Sequence, residues 1–398
     1  MSNAIRRASR TSRNPGRPVP RRFTVLTVLT LVMAVVGGTA MMVEDMSDSG
    51  LQIRGADISF TLQEEAIGQV LRVGGEPLPP EVILAGEGAT HVRLRVWVDP
   101  AAGVSDLASA LALAERAHAA GMKLVVDLHY SDTWADRTSQ TLPAAWSGLN
   151  QEQLKVQVEN YTRHTVEAFA AQGTPADIVQ IGNEINMGMM WPAGQIYSGN
   201  GEKWLEFTDL LRAGINGATA GDPAQKPSIM MHVDLGGDVG GAVYFFDRLR
   251  EFGVDYDVIG LSYYPFWNEG LTVLEENIHV LSARYAKDVL IAETAYPWTL
   301  ESSDGGPTVL HHISQLPEAD LYPPTPEGQK EFYRALTKVL LGVPNGRGLG
   351  FLVWEPGWLP GVPATNELGN THNNLTLFDW SGNALPALAA FRKDFAEQ

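Results

Sequence analysis

Two glutamates, Glu184 and Glu293, each close a short apolar run at a point where a buried parallel strand would stop. The first ends the run at residues 178–184, and the second lies in the run at residues 289–294. A carboxylate is costly to bury, so a glutamate at the mouth of a strand calls for a chemical explanation. Glycoside hydrolysis needs two such carboxylates, one as acid/base and one as nucleophile. The pair therefore predicts glycosidase chemistry, although a single glutamate at a strand end is more often a surface or ion-paired residue.

The elements that must position this pair follow from short apolar runs that alternate with longer stretches of helical pattern. Eight runs predict strands, at residues 53–60, 91–98, 123–129, 177–184, 228–234, 256–264, 288–293 and 348–354. Three of the intervening stretches predict helices, at residues 107–120, 151–171 and 202–218. Eight strand–helix units predict one α/β domain over residues 46–398, a (β/α)8 TIM barrel. An open doubly wound sheet is the rival, but residues 56–60 lack the glycine-rich phosphate turn that it needs.

Polar side chains gather on one face of several predicted strands, close to the carboxyl end. Alternate residues of a barrel strand point inward, and the chemistry of such barrels lies at the carboxyl-end rim. The residues that share an inward face in this way are Arg93, Arg95 and Trp97 on one strand, Asp127 and His129 on the next, then His232 with Asp234, and Ser262 with Tyr264. A polar set at one end of many strands is hard to reconcile with core packing alone, so we expect a site there.

Tryptophan supports a sugar-lined cleft at the same rim. Seven of the 10 tryptophans fall at or shortly after a predicted strand end, namely Trp97, Trp134, Trp191, Trp267, Trp298, Trp354 and Trp358. Flat aromatic faces stack on the C–H face of a pyranose ring and lose little conformational entropy in doing so. The other interpretation for any single tryptophan is core or loop packing, which we favour for Trp204 and Trp380.

Composition excludes several classes of function. The absence of cysteine excludes disulfides, thiolate catalysis and cysteine-ligated zinc. The formal net charge is −17, and the first forty residues hold seven arginines and no acid, so the rest of the chain carries −24. A body that acidic repels nucleic acid and anionic membrane surfaces, whereas a neutral polysaccharide meets no such repulsion. Histidines in a ligand spacing such as His-Glu-x-x-His are missing, which disfavours metal-dependent hydrolysis.

Residues 1–45 predict an export signal and a short linker. A basic stretch to Arg22 precedes an apolar run at residues 23–36 and small residues at 37–40, the order typical of a cleaved signal peptide. An uncleaved anchor is the alternative, because the apolar run approaches the length that spans a bilayer. In either case we expect the body outside the cytoplasm, extracellular or periplasmic, with a membrane contact only if the segment is uncleaved.

Seven segments carry motifs of a known family, at residues 55–59, 92–98, 127–136, 181–185, 262–266, 292–297 and 354–358. Together they resemble the endo-β-1,4-galactanases of glycoside hydrolase family 53, from about Gly55 to Phe391. The stretch Ser-Asp-Thr-Trp-Ala-Asp at residues 131–136 is specific, whereas Asn-Glu occurs in many retaining barrel glycosidases. The resemblance implies a TIM barrel that cleaves β-1,4-galactan, as in the arabinogalactan side chains of pectin.

The resemblance also implies roles for the two carboxylates. Glu184 is expected to be the acid/base, Asn183 to hold the sugar 2-hydroxyl, and Glu293 to be the nucleophile. A nucleophile must stay ionised, so we expect an arginine beside Glu293, with Arg93 as first choice and Arg95 as second. The acid/base needs a raised pKa, for which an aromatic wall is expected, with Trp191 as a candidate. A retaining mechanism is predicted, with the carboxyl groups ~5–5.5 Å apart.

The remaining polar residues are given supporting roles. Tyr264 is predicted to donate a hydrogen bond to Glu293. The residues expected to bind hydroxyls or to brace the carboxylate pair are Asp127, His129, His232 and Asp234. His129 fits equally well as a structural residue beneath the site. Glu355 shares the rim but stands in Trp-Glu-Pro, so we predict that it braces a loop.

We expect a monomer that needs no cofactor and binds a polysaccharide. A structural calcium ion, held by some bacterial relatives between the loops after the seventh and eighth strands, is not expected, because residues 301–307 offer few oxygen donors in a ligand spacing and the eighth loop is short. The competing functions are another retaining barrel glycosidase, such as a β-mannanase or endoglucanase, and a catalytically dead polysaccharide-binding barrel. The first has no reason to carry residues 131–136, and the second predicts loss of Glu184, Glu293 or Arg93.

Overall fold

Eight parallel strands close into a barrel. The computed structural model describes residues 50–100, 104–199, 201–303, 305–362 and 370–397. The barrel strands are β1 (Ile53–Asp57), β2 (His91–Val96), β3 (Lys123–Leu128), β4 (Ile178–Ile181), β5 (Ser228–Val233), β6 (Val258–Ser262), β7 (Asp288–Thr294) and β8 (Gly348–Trp354). They pair in sequence order, and β8 pairs with β1 to close the ring. The predicted (β/α)8 barrel is therefore confirmed, and the open doubly wound sheet is excluded.

Helices pack around the ring of strands. They are α1 (Thr61–Ala66), α2 (Pro80–Gly86), α3 (Leu107–Ala119), α4 (Gln151–Gln172), α5 (Trp204–Gly221), α6 (Val239–Glu251), α7 (Pro265–Asn268), α8 (Leu271–Tyr285) and α9 (Pro326–Leu341). The three helices predicted from sequence correspond to α3, α4 and α5. Helix α4 shows why its bounds could be predicted, since Asn150 and Gln153 form a capping box at its start and Gly173 ends it in the left-handed conformation.

Short elements decorate the loops. Three two-stranded hairpins pair Arg72–Val73 with Glu76–Pro77, Gly188–Met189 with Gly194–Gln195, and Tyr197–Ser198 with Gly201–Glu202. Single 3₁₀ turns span Ala144–Trp146, Ile185–Met187, Ile313–Gln315 and Pro344–Gly346. In the described residues between β8 and the 3₁₀ helix Pro386–Phe391, which are 355–362 and 370–385, there is no α-helix. The rest of this loop, residues 363–369, is not described, so the expectation of a short eighth loop stays a prediction.

The barrel interior has two layers of opposite character. The lower layer is apolar and is formed by Ile53, Val125, Ile178, Met230, Val258, Leu290, Ala292, Leu349 and Leu352. The upper layer, towards the carboxyl ends of the same strands, is polar and holds Asp57, Arg93, Asp127, Gln180 and His232, all at most 1% exposed. The outward face of β2, by contrast, packs Val92, Leu94 and Val96 against the helices. The alternation read from the sequence of β2 is confirmed.

Strand register stacks the polar layer. Asp57 on β1 is paired with Arg93 on β2, and Asp127 on β3 with Gln180 on β4. On β7 the register shifts, so that Leu261 and Ser262 of β6 lie opposite Ile291 and Glu293. Because Leu290 and Ala292 already belong to the interior, strict alternation would turn Glu293 outward. The bulge re-aims this carboxylate into the barrel.

Residues 1–49 lie outside the described part of the chain, and with them the predicted export segment. Among the residues described, none of the helices has both the length and the apolar character needed to cross a membrane. The described ranges also contain no group of three or more His, Asp or Glu residues arranged to hold a metal ion. Within the loop considered for calcium, Asp304 is likewise not described, so the expectation about calcium stays a prediction.

Candidate active site

A cleft of about 400 Å³ opens at the carboxyl-end rim of the barrel. The residues that line this catalytic cleft are Arg95, His129, Trp134, Ala135, Asp136, Asn183, Glu184, Tyr264, Trp267, Glu293, Trp354, Trp358, Thr371 and His372. Both predicted catalytic glutamates are therefore exposed to one cavity. Four tryptophans border the same space, so the cleft combines acid groups with flat apolar faces.

Glu293 is held by one guanidinium and one phenol. Arg93 Nη2 lies 2.8 Å from Glu293 Oε1, and the Tyr264 hydroxyl donates to Oε2 at 3.1 Å. Burial raises the pKa of Glu293 to about 6, against the opposing pull of Arg93 and of the Tyr264 hydrogen bond. The predicted partners Arg93 and Tyr264 are both found. The carboxylate ionises near neutral pH only because these two partners oppose the effect of burial.

Arg93 is the centre of the polar layer. Its guanidinium is 2.9 Å from both Asp57 Oδ2 and Asp127 Oδ2, and Nη2 also donates to Asn183 Oδ1 at 2.8 Å. Burial lowers the pKa of Arg93, but the surrounding carboxylates raise it by more, so the guanidinium is permanently charged. A buried cation shared among three carboxylates is expensive to assemble and strongly destabilising to break. We expect this hub to fix the position of Glu293.

Glu184 sits on a sharp turn just beyond β4. Gly182 and Glu184 have φ of 81° and 48°, both in the left-handed region, and the turn carries the glutamate over the rim. The Ser262 hydroxyl donates to Glu184 Oε1 at 2.7 Å. The pKa of Glu184 lies well above its ordinary value, first because of burial and then because of the charges of Glu293 and Asp234. This carboxyl is therefore protonated under conditions in which Glu293 is ionised.

The two histidines are neutral and brace the pair from below. Trp97 Nε1 and the Ala135 amide both donate to His129 Nδ1 at 3.2 Å, so the ring proton is on Nε2, which faces Asp127 Oδ2 at 2.9 Å. Burial lowers the pKa of His129 and, by more, that of His232. These rings act as fixed hydrogen-bonding groups, because near neutral pH each is a neutral imidazole with a single N–H and not the cationic acid.

His232 links two functional side chains. Its Nε2 lies 3.0 Å from Ser262 Oγ, which in turn donates to Glu184, and its Nδ1 lies 2.9 Å from Asn183 Oδ1. Asp127 is fully buried, and although burial raises its pKa, Arg93 and His129 hold it at about 2. The expectation that these residues brace the site fits this geometry, but among them only His129 reaches the catalytic cleft.

Asn183 is fixed at both ends of its amide. Its Nδ2 donates to the Ala135 carbonyl at 2.8 Å, and its Oδ1 accepts from Arg93. One hydrogen of the amide nitrogen remains to face the cleft, which Asn183 lines. The predicted contact with a sugar 2-hydroxyl therefore needs no rearrangement of the side chain.

Arg95 does not contact Glu293, so the second choice for its partner was wrong. Arg95 Nη2 pairs instead with Glu355 Oε1 at 3.1 Å, and the guanidinium lies 4.3 Å from the centre of the Trp134 ring. Arg95 stands one interior layer above Arg93, and its Nη1 lies 4.0 Å from Asp57 Oδ1. Glu355 also accepts a hydrogen bond from the Phe60 amide at 3.3 Å, consistent with its predicted bracing role.

Only four of the seven predicted tryptophans line the cleft. They are Trp134, Trp267, Trp354 and Trp358. Trp97 is buried beneath Trp134, with ring centres 5.3 Å apart. Trp191 and Trp298 lie elsewhere: Trp191 Nε1 donates to the Met187 carbonyl at 3.2 Å, and Trp298 packs on Trp380. The prediction of a cleft-lining role was therefore wrong for Trp97, Trp191 and Trp298, because a strand end specifies where a loop starts and not where its side chains point. Trp191, the candidate for a wall beside Glu184, is not among the residues that line the cleft.

Sequence reasoning missed three groups. Gln180 is a lone polar residue inside the apolar β4, and the alternation of inward and outward residues along the strand could have placed it in the interior. Its Nε2 donates to Asp127 Oδ1 at 2.6 Å. Ser262, noted only as the neighbour of Tyr264, is the donor to Glu184. His372 stacks on Trp358 with ring centres 5.4 Å apart, and no local signal identified it, because it is far in the sequence from any predicted strand end.

Comparison with known proteins agrees with this geometry. The family model described as Glycosyl hydrolase family 53 matches residues 53–391. A relative from Aspergillus terreus, described as a probable arabinogalactan endo-β-1,4-galactanase A, is 38% identical over 86% of this chain and 95% of its own length. The chain belongs to glycosyl hydrolase family 53.

Solved structures support the same assignment. The family 53 catalytic domain of Ignisphaera aggregans superposes with a TM-score of 0.80 at 34% identity, covering 88% of this chain and 97% of that one. A structure from a study of two fungal β-1,4-galactanases gives a TM-score of 0.76 at 33% identity, covering 86% of this chain and 99% of its own. The described barrel is thus that of a family 53 glycoside hydrolase, and the protein is an enzyme.

Proposed function

We propose that this family 53 enzyme is an exported endo-β-1,4-galactanase that works by a retaining double displacement. One observation carries the mechanism: Glu293 and Glu184 share a cleft, and their environments separate their pKa values. Arg93 and Tyr264 contact the first, whereas the second is buried near two other carboxylates. Pairs of carboxyls separated in this way mark a nucleophile and an acid.

In the first step, Glu293 attacks the anomeric carbon while Glu184 gives its proton to the glycosidic oxygen. The C–O bond breaks, the released sugar leaves with a new hydroxyl, and a covalent glycosyl–enzyme ester forms. Asn183 faces the same space and holds the 2-hydroxyl of the attacked sugar. Arg93 and Tyr264 keep Glu293 oriented and ionised until it attacks.

In the second step, Glu184 acts as a base. Once Glu293 is an ester it carries no charge, so its contribution to the high pKa of Glu184 disappears. The deprotonated Glu184 can then take a proton from a water molecule, whose oxygen attacks the anomeric carbon on the face that the released sugar left. The bond between the anomeric carbon and Glu293 breaks, which releases the sugar and returns Glu293 to its carboxylate form. Two inversions give net retention.

The substrate is assigned from the relatives together with the cleft. Two of the compared proteins are named as a β-1,4-galactanase or a probable arabinogalactan endo-β-1,4-galactanase. The cleft is open at the rim and bordered by four tryptophans, which suits an internal stretch of a neutral sugar chain. We propose galactan, as in pectic arabinogalactan, as the polymer, acted on by a monomer that needs no cofactor.

Export is proposed from residues 1–45 alone. Their basic, apolar and small-residue order would direct the body out of the cytoplasm, as an extracellular or periplasmic enzyme. Mass spectrometry of the mature secreted protein would test this. A new N-terminus close to Met41 would support cleavage, whereas an intact N-terminus in the membrane fraction would make the segment an anchor.

Digestion of linear β-1,4-galactan tests the proposed activity. A chain starting near Ser47 would be incubated with galactan, β-mannan and β-glucan, and the anomeric configuration of the first products followed by NMR. Short β-anomeric galacto-oligosaccharides from galactan alone are expected. Cleavage of mannan or glucan would move the enzyme to another specificity, α-anomeric products would exclude retention, and binding without cleavage would make the protein a polysaccharide-binding barrel.

A further inference from the structure

Two cavities meet at Glu184. Beside the catalytic cleft lies a second cavity of about 240 Å³, enclosed by the loops after β3, β5 and β6. Its lining residues are Asp136, Arg137, Thr138, Glu184, Asp234, Ser262, Tyr264, Trp267 and Asn268. Glu184 belongs to both cavities, whereas Glu293 and Asn183 line only the catalytic cleft. The acid group therefore stands on the boundary between them.

The position of Glu184 between the two cavities indicates which cavity faces each part of the substrate. The sugar that is attacked must lie against Glu293, in the catalytic cleft. The glycosidic oxygen must lie within reach of Glu184, and the sugar beyond that oxygen must continue away from the nucleophile. The second cavity lies on that side of Glu184, because Glu184 lines it and Glu293 does not.

An ion pair spans the second cavity. Arg137, after β3, lies with Nε 3.1 Å from Oδ2 of Asp234, after β5, so the pair bridges the two loops that flank β4. The Asp234 side chain is 14% exposed and that of Arg137 is 64% exposed. Asp234 Oδ1 is buried and accepts no hydrogen bond from any described residue. A buried carboxylate oxygen without a donor is costly, and a ligand hydroxyl would satisfy it.

We propose that the Arg137–Asp234 ion pair binds the leaving-group sugar, with Asp234 Oδ1 accepting one of its hydroxyls. The inference rests on the proposed galactanase function and deepens it. A hydroxyl both donates and accepts, so one sugar can donate to Asp234 and accept from the free N–H groups of Arg137. Trp267 borders both cavities and is 57% exposed, which leaves a flat face for a pyranose ring at the junction.

Two substrates that differ only in the leaving group test the proposal. β-1,4-Galactopentaose releases a sugar, whereas 4-nitrophenyl β-1,4-galactobioside releases a phenol that has no hydroxyls for the ion pair. The variants are Asp234→Ala and Arg137→Met, and because the Arg137 side chain is 64% exposed, thermal unfolding of the second should stay close to that of the parent. For Asp234→Ala we expect kcat/KM on the pentaose to fall roughly tenfold or more, the loss typical of a hydrogen bond to a charged group. Because Asp234 also raises the pKa of Glu184, the two substrates are compared at the pH optimum of each variant, where activity on the aryl substrate should fall much less than activity on the pentaose.

Arg250→Met is the matched control. Arg250 is 57% exposed and pairs with Asp247 on α6, away from the rim, so neither substrate should be affected. Equal losses on both substrates for Asp234→Ala and Arg137→Met, or no loss on either, would overturn the proposal. Failure of the unaltered enzyme to cleave the pentaose would instead reject the galactanase function, so the two failures are distinguishable.

Discussion

The lower and upper halves of the barrel interior are built from the same eight strands and do opposite things. Below, apolar side chains such as Val125 and Leu290 occupy the barrel and are fully buried. Above, Arg93 is surrounded by Asp57, Asp127 and Glu293, an arrangement that burial opposes. Burial of apolar groups stabilises the fold, whereas a buried charge network seldom does. The difference teaches that the apolar lower layer stabilises the arrangement of the strands, and that this stability offsets the cost of burying the charged groups of the upper layer.

The largest expected effect comes from removing the nucleophile. Glu293→Gln should lower kcat on galactan by roughly 10⁴-fold or more, because no other group can form the covalent ester. Its thermal unfolding should stay close to that of the parent, since the amide keeps the shape of the side chain. Glu64→Gln is the control: Glu64 is another buried glutamate of the upper rim, outside the catalytic cleft, and its replacement should leave kcat unchanged. A comparable loss of kcat in both variants would contradict the assignment of Glu293 as the nucleophile.

A substitution in the lower layer should lower the stability of the fold and leave kcat unchanged. Leu290→Ala opens a cavity in the apolar half and should lower the free energy of unfolding by about 2–5 kcal/mol. Because Leu290 lies beneath the polar layer and touches no group that reacts, kcat per folded molecule should not change. Urea unfolding and active-site-normalised kinetics would measure the two quantities. A drop in kcat without a loss of stability would contradict the division between the layers.

The pH dependence of kcat/KM should reflect the pKa of Glu293, whose partners belong to the upper layer. Burial raises the pKa of Glu293 to about 6, so activity should fall about tenfold per pH unit below that value as the nucleophile becomes protonated. The Tyr264 hydrogen bond lowers this pKa, so Tyr264→Phe should move the acid limb to higher pH. Tyr263→Phe is the control, because Tyr263 donates to the Glu269 carbonyl instead. If the acid limb of Tyr264→Phe stayed at the pH of the parent enzyme, the acid limb could not be assigned to Glu293.

The smallest effect is expected at the acid/base. The Ser262 hydroxyl lowers the pKa of Glu184, so Ser262→Ala should raise that pKa and move the basic limb to higher pH. Loss of one hydrogen bond, about 0.5–1.5 kcal/mol, should change kcat only severalfold. Ser282→Ala, which removes a buried hydroxyl on α8 bonded to the His279 carbonyl, should change neither quantity. If the basic limb of Ser262→Ala moved to lower pH, Ser262 would raise the pKa of Glu184, which contradicts a hydrogen bond donated to the ionised carboxylate.

Much of the site could be predicted, for identifiable reasons. Arg93 was assigned to Glu293 because it is an interior polar residue near a strand end, and a barrel brings such positions together. Arg95 was misassigned because alternation specifies the face of a strand and not the height at which a long side chain ends. Trp191 and Trp298 were misplaced because they lie in loops, whose course depends on contacts distant in the sequence.

By itself, the sequence determined the number and order of the barrel strands and the face that each polar residue of β2 and β3 presents. Local periodicity, capping residues such as Asn150 and Gly173, and the placement of carboxylates at strand ends are sufficient for that. Only the tertiary structure decided that Glu293 points inward. Alternation with Leu290 and Ala292 would have turned it towards the helices, and the register shift against β6, which exists only once the strands are paired, returns it to Arg93.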